Sequence, residues 1–303
     1  MSEAHFELNP AGPYSLAAST KFLEGFAPAA YEAKNEGHLH MAFVGDGSED
    51  AVGVCIRSKG GTIVCEVFGS VDTEVVRRQV ERILSLDVDG SGFAEVGKLD
   101  PVVGRLQERY PGLRPVCFYS PYEAAAWAII GNRIRIVQAA RIKARMAQEL
   151  GDLVEIHGQP EHAFPGPWRL AELKEFSGLS GRKVEYLRGL GRAAMDGKLD
   201  AAHLRSMPVD EALRELKELA GIGPFSSELI LLRGAGEPDL LPENEPRLGR
   251  AVAMAYGLDE PPKPDELRSI AEGWRPYRTW VSLHLRAMLE EETGEITGRP
   301  KTT

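Results

Sequence analysis

Cysteine is scarce in this sequence, and the cysteines present follow no ligand pattern. The 303 residues include Cys55, Cys65 and Cys117, an odd number without Cys-x-x-Cys spacing. We therefore expect neither a disulfide framework nor a zinc site, and interpret the three thiols as small buried apolar groups. His157 and His162 lie five positions apart with no third ligand near them in the sequence. The sequence therefore predicts no metal site and no cofactor.

Long apolar runs are also absent. No run approaches the roughly 18 apolar residues that a membrane helix needs. The opening MSEAHFELNP has neither the basic region nor the apolar stretch of a secretory signal. The composition, 43% hydrophobic and 27% charged, is typical of a globular protein. We expect a cytoplasmic protein without a membrane partner, long enough for two or three domains of roughly 100 to 200 residues.

An overall positive charge is missing as well. The formal net charge is −9, whereas a nucleic-acid binder is expected to carry a basic footprint. Basic residues nevertheless cluster in two runs, and the only acid within either run is Glu185. The first run consists of Arg133, Arg135, Arg141, Lys143 and Arg145, and the second of Arg182, Lys183, Arg188 and Arg192. Each run is either a solvated helix face or part of a local surface that faces nucleic acid.

Strand and helix patterns alternate in the N-terminal part of the chain. Runs of β-branched or alternating residues at 38–44, 51–58 and 61–69 predict strands. Helical periodicity flanks them at residues 14–23 and 73–86. This order favours an antiparallel sheet with helices on one face. From residue 120 onward the patterns are mainly helical, with a loop predicted at residues 158–167, so the fold class is α+β.

A glycine hairpin between two amphipathic helices lies within residues 213–250. Gly221 and Gly223 flank the single apolar residue Ile222, and Pro224 suits the first position of the second helix. Glycines let the backbone turn tightly and bring its N–H groups close to an anion, so a nucleic-acid phosphate would fit there. An ordinary αα-hairpin, whose glycines only permit the turn, is the alternative.

The order of parts around this hairpin resembles the helix-hairpin-helix DNA glycosylases, the HhH-GPD superfamily. GIGPF, the later LRG and a Gly/Pro-rich acidic loop at residues 236–246, which ends in a carboxylate, are most similar to bacterial 3-methyladenine DNA glycosylase II. AWAIIGNRIRIVQAARIKARMAQELG at residues 126–151 and WRPYRTWVSLHL at residues 274–285 resemble the same branch. The resemblance covers most of residues 120–290.

This resemblance implies a domain organisation and a function. It implies an N-terminal α+β domain at residues 1–88, a helical domain with the hairpin at 118–240, and a second helical subdomain from 89–117 and 241–303. The implied activity is that of a monofunctional DNA glycosylase, a monomer that flips a damaged, typically alkylated base out of double-stranded DNA and hydrolyses it off. Some members hold an iron–sulfur cluster on four clustered cysteines, and since no cysteine follows Cys117, none is expected here.

The resemblance also implies a catalytic residue. Breaking an N-glycosidic bond develops oxocarbenium character at the sugar, which a nearby carboxylate stabilises. In the family this group is an aspartate at the end of the loop, and Glu245 stands at the matching position with the same charge and one more methylene. Glu243 and Asp239, earlier in the loop, are weaker candidates. Because of this departure, a non-catalytic DNA-binding or lesion-recognition protein on the same scaffold is the alternative function.

Two further sets of residues follow from the resemblance. The residues implied to bind DNA are Gly221, Ile222, Gly223, Pro224, Asn132, Arg133 and Arg135. Among them, Arg133 stands where the family places the side chain that fills the gap left by a flipped nucleotide. That side chain is usually apolar, so Arg133 is alternatively a surface arginine that only touches phosphate.

The residues implied to line the base pocket are Phe225, Leu229, Trp274, Tyr277, Trp280 and Arg286. Aromatic faces suit an electron-deficient alkylated base, but Leu229 and Arg286 stand where close relatives have aromatic residues. A guanidinium would repel a cationic base, so either the substrate differs or Arg286 turns away. Phe225 occupies the position of the lysine nucleophile of strand-cleaving members, so no lyase activity is expected.

Overall fold

The chain folds into an N-terminal antiparallel sheet flanked by helices and a larger helical part, which confirms the predicted α+β class. A computed structural model describes residues 4–25 and 37–294. Among these residues, no helix combines the length and the apolar character needed to cross a bilayer.

The sheet consists of four antiparallel strands in the order β1-β4-β3-β2. The strands are β1 (Ala4–Leu8), β2 (His38–Val44), β3 (Ala51–Lys59) and β4 (Thr62–Phe68). Alternation in the sequence predicted β2, β3 and β4 within one or two residues, and these are confirmed. The edge strand β1 was not predicted, because it is short and most of its residues are partly or fully exposed.

Both faces of this sheet are covered. The inner face, with Val52, Val54 and Ile56 of β3, packs in one core with helices α1 (Leu16–Gly25) and α2 (Thr73–Ile83). The outer face is covered by a hairpin formed by β5 (Leu153–Ile156) and β6 (Gln159–His162). The sequence predicted a loop over part of this hairpin, which is wrong, because the hairpin is held by its contacts with the sheet rather than by local propensity.

The first helical core is built around α5 (Pro121–Gly131), which is apolar on most sides and almost fully buried. Ser120 caps its N-terminus by accepting a hydrogen bond from the Glu123 N–H. Helices α6 (Ile136–Leu150), α8 (Gly181–Met195) and α11 (Pro224–Ile230) pack against it, and α11 continues as a π-helical turn at Leu231–Ala235. The same core also contains α7 (Pro167–Ala171), α9 (Ala201–Ser206) and α10 (Val209–Lys217).

A second helical core combines segments from before and after the first. Its helices are α3 (Phe93–Leu99), α4 (Pro101–Arg109), α12 (Pro246–Tyr256), α13 (Pro264–Glu272) and α14 (Arg278–Thr293). We propose residues 1–88, 118–240, and 89–117 with 241–303 as the domains. The three largest hydrophobic clusters support this division, because each draws nearly all of its residues from one of these sets.

Candidate functional site

A cavity that opens to solvent lies between α11, the loop before α12, and α14. Its lining consists of Phe225, Glu228, Leu229, Leu232, Arg233, Pro242, Glu245, Leu248, Thr279, Ser282, Leu283 and Arg286. The structure thus brings together the predicted catalytic carboxylate and the predicted pocket residues Phe225, Leu229 and Arg286.

Glu245 caps the N-terminus of α12. Its backbone is extended, Pro246 takes the first helical position, and the carboxylate accepts a hydrogen bond of 3.2 Å from the Arg247 N–H. The Arg247 guanidinium lies 3.5 Å from the same oxygen. The side chain is only 10% exposed. Capping therefore fixes the direction of a largely buried negative charge at the wall of the cavity.

The loop that carries Glu245 is tied to α11 by a residue that the sequence did not single out. Glu228 accepts hydrogen bonds from the Asn244 backbone N–H at 3.0 Å and from Asn244 Nδ2 at 2.6 Å. Burial raises the pKa of the Glu228 carboxyl, and the two bonds from Asn244 oppose that rise. One signal was available, because Glu228 is the single charge in an otherwise apolar helical run, Glu228–Leu232.

The two other carboxylates considered in this loop point to different partners. Glu243 binds the Arg268 guanidinium at 2.7 and 2.9 Å. Asp239 pairs with Arg275 at 2.6 Å and with Arg278 at 2.8 Å. Neither residue lines the cavity. Their ion pairs fasten the loop to the second helical core, which leaves Glu245 and Glu228 as the carboxyl groups at the cavity.

Two guanidinium groups also belong to the lining of the cavity. Arg286 lines the cavity and does not turn away from it. Burial lowers the pKa of Arg286, and the charge of Glu245 opposes that change. Arg233 is 2% exposed and donates to the Val116 carbonyl at 3.0 Å, and burial lowers its pKa to about 10. The cavity therefore holds mutually compensating charges between apolar walls.

Three of the predicted pocket aromatics lie elsewhere, and their assignment to the base pocket is corrected. Trp274, Tyr277 and Trp280 are buried in the second helical core and do not line the cavity. Trp274 Nε1 donates to Tyr256 at 3.0 Å, and Tyr277 donates to the Asp89 carbonyl at 2.7 Å. Burial explains the difference, because these rings fill the core behind the loop. Within the described lining, the aromatic ring is Phe225.

The three central residues of the hairpin between α10 and α11 differ in backbone conformation and in burial. Gly221 has a φ of +91°, and a Cβ there would lie 2.6 Å from Tyr186 Cδ2. Gly223 faces open space and precedes Pro224. Ile222 is 7% exposed, packs in the first helical core, and donates its N–H to Leu219 at 3.0 Å. Ile222 therefore anchors the hairpin, and its contact with DNA stays a prediction.

A groove beside this hairpin collects other predicted DNA-binding residues. Its lining includes Asn132, Arg133, Ser180, Arg182, Lys183, Tyr186 and Gly221. Arg133 is exposed between α5 and α6 with a φ of +56°, a left-handed conformation that is uncommon for arginine. Arg135 is also exposed and precedes the first residue of α6. Lys183 is directed by a hydrogen bond of 2.7 Å to the Ile130 carbonyl.

The first basic run does not form a single surface. Lys143 lies 3.3 Å from Glu123, and both side chains are largely buried, at 13% and 6% exposure. Arg145 pairs with Glu149 one turn further along α6, at 2.9 Å. Among the described residues of this run, Arg133, Arg135 and Arg141 make no such ion pair, and Arg133 lines the groove.

Comparison with known proteins gives a consistent picture, although no family model matches the chain. The chain is 25% identical over 220 residues to DNA-3-methyladenine glycosylase from Bacillus subtilis, covering 71% of this chain and 73% of the relative. It is 30% identical over 191 residues to DNA-3-methyladenine glycosylase 2 from Escherichia coli, covering 60% of this chain and 63% of the relative.

The fold is similar to that of a solved structure over nearly its whole length. The 3-methyladenine DNA glycosylase from Archaeoglobus fulgidus matches with a TM-score of 0.78 and 24% identity, covering 92% of this chain and 97% of that chain. The curated relatives, the shared architecture, and the hairpin followed by a carboxylate-capped helix lead to the same assignment. The chain belongs to the superfamily of helix-hairpin-helix DNA glycosylases.

Proposed function

We propose that this protein is a monofunctional DNA glycosylase that turns a damaged base out of duplex DNA into the cavity and hydrolyses its bond to the sugar. The observation that carries this proposal is the position of Glu245, whose fixed carboxylate lies at the wall of a cavity beside the hairpin. The names of the relatives from Bacillus subtilis and Escherichia coli support the same class of enzyme.

Glu245 has the property that the reaction requires. The departing base leaves positive charge on the sugar, and a carboxylate held beside it lowers the energy of that transition state. Because Glu245 is held by the Arg247 N–H before substrate arrives, little reorganisation is needed when the charge develops. The low exposure of the side chain strengthens the interaction, since water screens it less.

We propose the groove and the hairpin as the surface that binds the DNA backbone. Arg133, Arg182 and Lys183 supply positive charge there, and Gly223 leaves room for a phosphate to approach the backbone. Arg133 is our candidate for the side chain that enters the gap in the duplex. Its left-handed backbone and its position at an exposed turn support this role.

Arg286 bears on which damaged base the cavity accepts. We propose an alkylated base as the substrate class, with a preference against the most strongly cationic lesions, because a guanidinium in the lining repels positive charge. Phe225, which is 42% exposed, offers a face for stacking. Phe225 also occupies the position of the family's lysine nucleophile, which supports hydrolysis without strand cleavage.

The test is base release from duplexes that contain a single alkylated or deaminated base. Glu245→Gln should reduce the single-turnover rate by about 100-fold to 1,000-fold while DNA affinity stays level. Glu243→Gln is the matched control, because this residue lies two positions earlier and pairs outside the cavity with Arg268. The control should release base at nearly the wild-type rate, and borohydride should trap no covalent DNA adduct with either protein.

Two outcomes would contradict the proposal. If the wild type binds duplex DNA but releases no base from any of these substrates, the protein is a DNA-binding or lesion-recognition protein on the same scaffold. If Glu245→Gln is as active as the wild type, the required carboxylate is another one. Glu228 is then the next residue to replace, since its carboxyl group is also at the cavity.

A further inference from the structure

The outer face of the N-terminal sheet carries a row of side chains with metal-binding atoms. His40 on β2, Cys55 on β3 and Glu66 on β4 are direct partners across neighbouring strands. Directly paired residues point to the same face, so these three side chains lie side by side. Cys55 is fully buried and His40 is 8% exposed. The row lies beneath the hairpin that the helical part places over the sheet.

Two more histidines complete this group. His38 is two residues before His40 on β2 and therefore shares its face, with Nδ1 at 3.7 Å from Cys55 Sγ. His157 comes from the turn of the β5–β6 hairpin, where its backbone has a φ of +51°. Its ring centroid lies 5.8 Å from that of His40. Three of the chain's seven histidines thus meet at one buried cysteine.

The donor atoms converge in two triads that share the Cys55 thiol. The ligand atoms of His38, His40 and Cys55 all lie within 4.8 Å of one another, and the same is true of Cys55, Glu66 and His157. Tetrahedral ligands about 2.0 to 2.3 Å from a zinc ion lie roughly 3.3 to 3.8 Å from each other, so these atoms would have to approach by about 1.5 Å at most. Small rotations of the side chains would therefore bring these atoms onto one ion.

The charges around the group are compatible with a cation. Arg57 extends from the same face, but its guanidinium pairs with Glu66, whose other carboxylate oxygen lies 3.1 Å from His157 Nε2. The guanidinium of Arg57 is therefore matched by a carboxylate.

We propose that Cys55, His38 and His40 bind a zinc ion, with the fourth ligand supplied by the Glu66–His157 pair. One sulfur and several imidazole nitrogens suit zinc, whereas magnesium and calcium require oxygen ligands. On binding, the Cys55 S–H loses its proton to solvent and the sulfur forms the bond to zinc. This departs from the expectation drawn from linear spacing, because strand pairing rather than sequence proximity assembles the ligands.

The position of the site indicates a structural role. Its ligands come from three strands of the sheet and from a hairpin that belongs to the helical part, so one ion would fasten the two parts together. That hairpin directly follows α6, whose first turn lies beside the groove. Zinc would therefore stabilise the folded protein, since an ion that binds only the folded state adds its binding free energy to stability.

Cobalt and zinc binding to the full-length protein tests this inference. After dialysis against a chelator, cobalt should produce the sulfur-to-metal absorption and the strong visible bands of a tetrahedral site, and one equivalent of zinc should abolish them. Zinc should also raise the melting temperature. Cys55→Ala should lose the sulfur band and bind zinc at least about 100-fold more weakly, since even residues behind the ligands contribute factors of 10 to 100.

Cys65→Ala is the matched control, because Cys65 is an equally buried cysteine in the same sheet and packs in the inner core. It should keep the cobalt spectrum.

His40→Asn provides a second ligand variant if Cys55→Ala does not fold. His157→Ala should weaken zinc binding, whereas His162→Ala should not. If the wild type binds neither ion, or if Cys55→Ala and His40→Asn bind zinc as tightly as the wild type, the inference is overturned. These readouts are independent of base release and therefore of the proposed glycosylase activity.

Discussion

The cavity and the groove both meet the α10–α11 hairpin, but their charges are arranged in opposite ways. The cavity lining contains two carboxyl groups, Glu228 and Glu245, and two guanidinium groups, Arg233 and Arg286. Its formal charges therefore cancel. The groove presents Arg133, Arg182 and Lys183, and its described lining contains no carboxylate. The protein as a whole carries a net charge of −9, so the positive side chains of the groove contrast with an acidic overall composition.

This difference separates two tasks. Uncompensated charges at an open surface attract a polyanion, and that attraction weakens as salt is added. Compensated charges in a poorly solvated cavity add little to long-range attraction, but they act strongly on charge that develops within a few ångströms. Substitutions in the groove should therefore change affinity, and substitutions in the cavity should change the rate or the choice of base.

After Glu245→Gln, the largest effect is expected for Glu228→Ala. This change removes both hydrogen bonds to Asn244 and releases the loop that positions Glu245. Misplacement by about 1 Å can reduce a rate by about 100-fold, so single-turnover base release should fall to that extent. Glu228→Gln keeps one acceptor oxygen and should lose less. Adding Asn244→Ala to Glu228→Ala should have little further effect, because both act on one interaction. A parallel loss of DNA affinity would show that cavity and groove are not independent.

Gly223→Leu should weaken DNA binding about tenfold or more while leaving the fold intact. A Cβ at this position would have no protein atom within 4 Å, so the side chain would start in open space, in the proposed path of a phosphate. Gly221→Ala provides the contrast, since its Cβ would meet Tyr186 and the φ of +91° disfavours any side chain. That variant should show a lower melting temperature. Fluorescence anisotropy and thermal denaturation separate the two effects, and unchanged affinity in Gly223→Leu would remove the hairpin from the DNA-binding surface.

Arg286→Met should shift the choice of base by several-fold. The substitution roughly preserves side-chain length but removes the positive charge from the cavity lining. Release of 7-methylguanine, which is cationic, should increase relative to release of hypoxanthine, which is neutral. The ratio of the two single-turnover rates measures this effect independently of overall activity. An unchanged ratio would mean that Arg286 does not approach the bound base.

The smallest effect is expected for Arg182→Ala. Loss of one phosphate contact should reduce the slope of log affinity against log salt by about 1 and weaken binding only modestly. Lys198→Ala is the control, because this exposed lysine lies just beyond the opposite end of α8. Its slope should match that of the wild type. Base release at saturating enzyme should be the same for both variants, and a reduced rate for Arg182→Ala would mean that the groove also influences chemistry.

The sequence determined the elements whose cause is local. Alternation placed β2, β3 and β4, the Ser120 cap with Pro121 placed the start of α5, and the paired glycines placed the hairpin. Each of these depends on residues within a few positions of one another. The prediction for Glu245 came instead from the resemblance to the family, and the structure places this residue as the cap of α12.

Only the tertiary structure decided which side chains meet. Ile222, Trp274 and Trp280 are core residues in the folded protein. Burying their apolar surface stabilises the fold, and the sequence does not show which apolar residues are buried in this way. The tertiary structure also tied Glu228 to Asn244, sixteen positions away, and paired Lys143 with Glu123 across two helices.

The same is true of the group at Cys55, whose members lie as far apart in sequence as His38 and His157. Ion pairs, hydrogen bonds and metal coordination depend on distances of a few ångströms in space. The separation of two residues in the sequence does not give that distance. Most helices, strands and turns could therefore be predicted from the sequence. The partners of the charged side chains and of the candidate metal ligands depend on how these elements pack.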